Sequence, residues 1–188
     1  MIDSAIAFLA AEINGYLRKR IGPAADKVEA GSIADDQGKW AFHDALRLAL
    51  VAVEEDRTLR EQLPRRTYIA GTEVLLEPEL KLDLVVVLAA NLNNYGDSLR
   101  YLSHVVTFFQ AHPAFTPDAF PGLDTRIERL APELLSYGPE QLNQMWAYIG
   151  AKYLPSVAYR IRMVVLQDDE PRAIGKPVTQ ITAVLHGP

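Results

Sequence analysis

The sequence predicts an α/β (mixed α+β) domain, with a mixed β-sheet of about four to six strands flanked by three main helices. Apolar residues recur at three- and four-residue steps in three separate segments, as amphipathic helices require. Between them lie short runs that are nearly all apolar or that alternate, the two patterns expected of strands. The order helix, strands, helix, strand, helix, strand suits helices packed against one sheet. At 188 residues, 49% hydrophobic and 23% charged, the chain has ordinary globular composition. It has the length of one core, so residues 1–188 read as a single domain.

The first helix follows from Ile2, Ile6, Leu9, Ile13 and Leu17, with Asp3 or Ser4 expected as its cap. Arg18, Lys19 and Arg20 fall in its last turn, where the helix dipole favours cations, and Gly22-Pro23 stops it. Val28 to Ile33 reads as a short strand, and Asp35 to Gly38 as the turn of a hairpin with the segment after Lys39. In Leu46 to Val53, Leu46, Leu48 and Leu50 alternate with Arg47, Ala49 and Val51, which predicts a strand largely covered on both faces. Residues 54–80 are charged and carry two prolines, so they read as a long exposed loop, a kind of segment that is usually functional. Leu82 to Leu88 is almost wholly apolar and is expected at the centre of the sheet.

Asn91, Asn93 and Asn94 then suit a turn and a helix cap. A second helix is predicted over residues 95–111, with Tyr95, Leu99, Leu102, Val106 and Phe109 as its buried stripe and Pro113 beyond its end. Residues 113–125 hold three prolines and read as a loop. Arg126 to Leu135 reads as a strand that Pro132 confines to a sheet edge or a bulge. Gly138-Pro139 opens a third helix whose apolar face is Leu142, Met145, Trp146 and Ile149. Val157 to Val165 alternates with Ala158, Arg160 and Arg162 and predicts a strand. Asp168 to Pro177 reads as a polar turn, and residues 178–188 as either a last short strand or a tail.

Residue chemistry points away from catalysis. The chain has no cysteine, which removes disulfides, thiolate metal sites and a cysteine nucleophile. Its start lacks the basic-then-apolar pattern of a secretory signal, and its longest apolar run, Leu84 to Ala90, is too short to span a bilayer. A net charge of −5, without a basic stripe, disfavours nucleic acid as a partner. His43, His104, His112 and His186 share no metal-ligand spacing with one another or with a carboxylate. Gly31 to Lys39 lacks both the spacing and the hydroxyl of a phosphate loop. Glu54-Glu55-Asp56 and Asp168-Asp169-Glu170 lack the alternating spacing of a calcium loop and read as solvated strand ends. Phe108, Phe109, Trp146 and Tyr153 read as core. No catalytic, cofactor-binding or metal residue is therefore expected. The densest basic group, Arg57, Arg60, Arg65 and Arg66, is the candidate interface.

Three stretches carry a resemblance: residues 1–17, residues 85–116 and, most specific, residues 140–166, with residues 51–60 beside them. In the third, Leu142, Asn143, Trp146, Gly150, Lys152, Tyr153, Pro155, Ser156 and Tyr159 stand in one register. Together they resemble the N-terminal domain of the cap, or tail-terminator, protein of extracellular contractile injection systems of the antifeeding-prophage and Photorhabdus virulence cassette type. Arg160 departs from the family's lysine and keeps its charge. Some members carry a further C-terminal domain, whose role is not expected of residues 1–188.

The resemblance implies a phage tail-terminator-like fold and a structural rather than enzymatic protein. It implies a ring, a hexamer, that ends the inner tube and contractile sheath. Its partners are then other copies of itself and the tube and sheath proteins, with no cofactor, nucleic acid or membrane. Assembly is expected in the cytoplasm, before release in an extracellular particle. The alternatives are a baseplate or adaptor part of the same particle, or a small enzyme with a dispersed active site.

Overall fold

The computed structural model describes residues 1–56, 65–69, 72–76 and 80–165, and the side chains of 1–56 and 81–165. Helix α1 (Ile2–Arg20) is followed by strands β1 (Val28–Ala30), β2 (Ala45–Glu55), β3 (Arg65–Ile69), β4 (Thr72–Leu76) and β5 (Leu80–Asn91). Helix α2 (Tyr95–Ala111), β6 (Ile127–Leu135), α3 (Pro139–Ile149) and β7 (Ser156–Val165) complete the described order. The main sheet is five-stranded and mixed, in the order β1-β2-β5-β7-β6, and only the β1–β2 pair is parallel. β5 lies at its centre, as its apolar run predicts, and β3 with β4 forms a separate hairpin.

α1 and α2 cover one face of the sheet. Leu9, Ile13 and Leu17 of α1 meet Leu46 and Leu48 of β2, Leu84, Val86 and Leu88 of β5, and Tyr159, Ile161 and Met163 of β7 in one buried cluster. The other face is covered by α3, whose Trp146 lies over Ala45, Ala49, Val87, Ala89 and Ala158. The period-2 alternation of β5 thus serves two cores, which explains why nearly every residue in it is apolar.

Several local expectations change. Met1, not Asp3 or Ser4, is the N-cap of α1; Ser4 Oγ instead donates to Met1 O (2.8 Å) and to Asp124 Oδ2 (2.9 Å), tying the helix start to a distant loop. Asn94 does cap α2, accepting from Gly96 N at 2.7 Å. The buried stripe of α2 is Ser98, Tyr101, Leu102, Val105, Phe108 and Phe109, while Tyr95 and Leu99 are exposed. The helix is apolar on more than one side, and the one against the sheet is rotated from the stripe read in the sequence. Tyr153 is exposed rather than core, although its ring meets Trp146 edge-on at 5.6 Å.

Residues 54–80 are not one long loop. β2 runs on to Glu55, β5 starts at Leu80, and β3 pairs with β4 from Arg65↔Leu76 to Ile69↔Thr72. The β-branched and aromatic residues Thr67, Tyr68, Ile69, Thr72 and Val74 favour that hairpin over the loop that the prolines suggested. The readings of Asp168 to Pro177 as a turn and of residues 178–188 as a strand or tail lie outside the described residues.

The turn at Asp35–Gly38 forms as expected, with Gly38 N donating to Asp35 O (3.0 Å), although its hairpin reduces to the single bridge Ala34↔Trp40. Trp40 Nε1 donates to Lys152 O (3.0 Å), which clips the turn to the connection after α3. Gly38 has φ +72°, and a Cβ there would stand 2.9 Å from Gly150 O. Both the left-handed backbone and the close approach exclude a side chain, so Gly38→Ala is expected to cost about 1–3 kcal/mol in denaturant titration. An unchanged midpoint would show that the clip is not formed.

Candidate assembly surfaces

The two edges of the five-stranded sheet are built differently. β1 is short and pairs only with Leu46–Leu48 of β2. Gly31 N makes the last contact, to Leu48 O at 3.0 Å, and the chain then leaves the edge. From Ala49 to Glu54, no strand among the described residues covers the outer side of β2. A bulge interrupts the β2–β5 register between Leu50 and Ala52, which increases twist and re-aims side chains. Leu50 and Val53 are consequently 39% and 45% exposed, where the sequence pattern predicted cover on both faces. A groove of about 670 Å³ lies beside Leu48–Val51 of this edge and is lined also by Ala30–Ile33, by Ile2 and Ile6 at the start of α1, and by Tyr148 and Ile149 at the end of α3.

The opposite edge is closed. Pro132 places β6 there, as its sequence predicts. Phe115 pairs with Leu130 from outside, N to O at 2.8 Å and O from N at 2.9 Å. In an antiparallel strand alternate residues send both main-chain groups the same way, so Pro132 also points outward, where it has no N–H to offer. The edge therefore lacks a continuous row of donors. Replacing Pro132 with Thr restores one. The expected result is concentration-dependent association in light scattering, with a stability change no larger than about 1 kcal/mol. A variant that stays as monodisperse as the parent would show that Pro132 does not guard this edge.

Beyond α3, the second face of the sheet carries charge. Arg162 Nη2 meets Glu133 Oε2 at 3.0 Å, and Arg160 Nε approaches Asp83 Oδ2 at 3.4 Å. Asp83 Oδ1 and Arg160 Nε are buried without a hydrogen-bond partner. Burial pushes the Asp83 carboxyl above its usual range, against the pull of Arg160. Glu54 lies opposite Asp83 in the β2–β5 register, and its negative charge pushes the same way.

Of the four candidate interface residues, Arg65 and Arg66 start β3, and Arg57 and Arg60 lie outside the described residues. His43 is exposed, His104 lies half-buried on α2, and His112 Nδ1 is 2.8 Å from Phe108 O at the end of α2; His186 is outside the described residues. Among the described residues no three His, Asp or Glu side chains converge on a metal position, and no helix is long and apolar enough to cross a membrane.

A family model described as the Pvc16 N-terminal domain matches residues 5–180. A search of curated proteins finds no match. Among solved structures, the chain is similar to the sheath/tube terminator of the PVC extracellular contractile injection system in its extended state. That match has 15% identity and a TM-score of 0.67, and covers 100% of this chain and 64% of that one. It is also similar to the anti-feeding prophage cap, a tube-terminating cap, at 15% identity and a TM-score of 0.60, covering 92% of this chain and 58% of that one. The chain thus spans less than two thirds of either structure, and the likeness establishes the fold: three described helices on a five-stranded mixed sheet, as in tail terminators.

Proposed function

Because the chain belongs to the Pvc16 N-terminal domain family, we propose that it caps a contractile injection particle and stops the growth of its inner tube and sheath. It acts as one domain over residues 1–188 and sits on the particle end as a ring of copies, a hexamer. The observation that supports this best is the inequality of the two sheet edges. Among the described residues no strand lies beside β2 from Ala49 to Glu54, while β6 is guarded by Pro132 and the Phe115 pair. A terminator has to attach to the layer beneath and give the next layer nothing to add to. An open edge is a template for main-chain pairing, and a closed one is not.

In this reading the protein works through surfaces and has no catalytic role. Its partners are its own copies and the tube and sheath proteins, and it needs neither nucleic acid nor a membrane. Arg57, Arg60, Arg65 and Arg66 meet acidic groups of a neighbouring subunit. Assembly takes place in the cytoplasm, and the cap leaves with the released particle. Heterologous contacts that close give a ring, and the net charge of −5 keeps free subunits apart until they dock. The test is to delete the gene and image particles by electron microscopy. Tubes and sheaths of irregular length or poor stability are expected; normal, uniform particles refute the role. A failure to start assembly at all would indicate a baseplate part instead.

A further inference from the structure

We infer that the cleft between the turn after β1 and the connection after α3 receives the acidic loop tip Asp118-Ala119 of the next copy in the ring. The inference rests on the ring reading and names the contact that closes the ring. The cleft measures about 400 Å³, and its lining includes Lys39, Trp40, Phe42 and His43 from the turn and Lys152 from the connection. Trp40 and Phe42 give it aromatic walls, while Lys39, His43 and Lys152 are exposed at its rim. Among the described residues neither lysine has an acidic partner. Asp35, in the same turn, is already taken: its Oδ1 accepts from the amides of Gln37 and Lys39, both at 2.8 Å. In a chain of net charge −5, two unpaired lysines above aromatic rings suit a carboxylate on a small apolar carrier.

The opposite flank of the same molecule carries one. β6 is the edge strand farthest from β1, and Asp118 stands three residues past Phe115, whose backbone bridges Leu130. Asp118 and Ala119 are exposed, and Asp118 has no cationic partner among the described residues. The tip is held in shape before it docks. Ala119 N and Phe120 N both donate to Thr116 O, at 3.2 and 2.9 Å, and the Phe120 ring packs on Phe115 at 4.9 Å and on Phe8 at 6.1 Å. A tip fixed in this way loses little freedom on binding. In a ring of heterologous contacts, one flank of each subunit meets the other flank of the next, which brings unpaired lysines to an unpaired acid. The cleft adjoins the start of β2 and the loop adjoins the start of β6, at opposite ends of the strands. No tip can therefore reach its own cleft, and the strands stand inclined to the plane of the ring.

The experiment uses two variants of the full chain and particles assembled without it, with occupancy of the particle ends counted by electron microscopy. Lys39→Glu/Lys152→Glu reverses the cleft, and Asp118→Lys reverses the tip. All three side chains are exposed, so the melting temperatures should hold. Alone, each variant sets like charges against each other at every contact, and its affinity for particle ends should fall about tenfold or more. Mixed in equal amounts, the two should recover the parent's occupancy. In an alternating ring of even order, every reversed cleft faces a reversed tip and every parental cleft a parental tip. Variants that cap as well as the parent overturn the inference and leave the cap reading intact. A mixture that binds no better than its components does the same. A parent chain that does not bind particle ends refutes the cap reading and this inference with it.

Discussion

Trp146→Ala is expected to destabilise the protein by about 3–5 kcal/mol, the usual range for truncating a large buried aromatic. Trp146 is the one buried residue of α3, and it joins that helix to the sheet. Beneath it lie Ala45, Ala49, Ala89 and Ala158, with Val87 among them. The alanines of the sheet beneath it cannot fill the vacated volume, which leaves only Ile33, Phe42 and Leu154 of the same cluster to relax toward it. The indole Nε1 is buried without a partner. Trp146→Phe keeps most of the apolar contact and deletes an unpaired donor, so its cost should stay below about 1.5 kcal/mol. Denaturant titration of both variants decides the matter: an alanine variant with the parent's midpoint would remove Trp146 from the core.

Phe115→Ala is expected to cost a similar ~3–5 kcal/mol and to act at a distance from its own cavity. Phe115 is fully buried and central to a cluster of rings. Its centroid lies 5.6 Å from Phe8, 5.9 Å from Phe108, 4.9 Å from Phe120 and 6.0 Å from His112. Such pairs add roughly 0.5–1.5 kcal/mol each beyond area burial. The ring anchors the short stretch whose backbone covers Leu130 on β6. Loosening it should expose that edge, so exchange at the Leu130 amide should rise well beyond the change that global destabilisation predicts. If Leu130 exchange follows global stability alone, the ring does not hold the cover in place.

Much of this was legible in the sequence. The span of each helix, the central place of Leu82–Leu88, the edge position of the Pro132 strand and the role of Asn94 all follow from local patterns. These features depend on residues within one or two turns of each other. What was not legible depends on partners far along the chain. Tyr95 and Leu99 satisfy a helical stripe as well as Tyr101, Val105 and Phe108 do, and only contact with the sheet selects the second set. The hairpin at Arg65–Leu76 was obscured by charge and proline around Thr67, Tyr68 and Ile69. The stretch of β2 past Leu48 that no described strand flanks was out of reach for a different reason. It exists because β1 stops after three residues, and the length of one strand against another is not written in either alone. The resemblance in residues 140–166 pointed to the family, yet the residues that distinguish the two sheet edges lie elsewhere.

The central strand also sets how the chain must reach its native state. β5 is paired on one side from Ala45↔Asn91 to Glu55↔Leu82, and on the other from Leu80↔Val165 to Ala89↔Ser156. Neither neighbour is joined to it by a tight turn; α2, β6 and α3 all intervene before β7. Closing such loops costs chain entropy before any contact repays it, and that places the barrier late and high. Folding should therefore run at the slow, non-local end of the millisecond-to-second range. During synthesis β5 waits, apolar on both faces, until β7 leaves the ribosome. Through that interval α1 and α2, whose contacts with β2 and β5 form earlier in the chain, are the cover that keeps the nascent sheet from neighbouring chains.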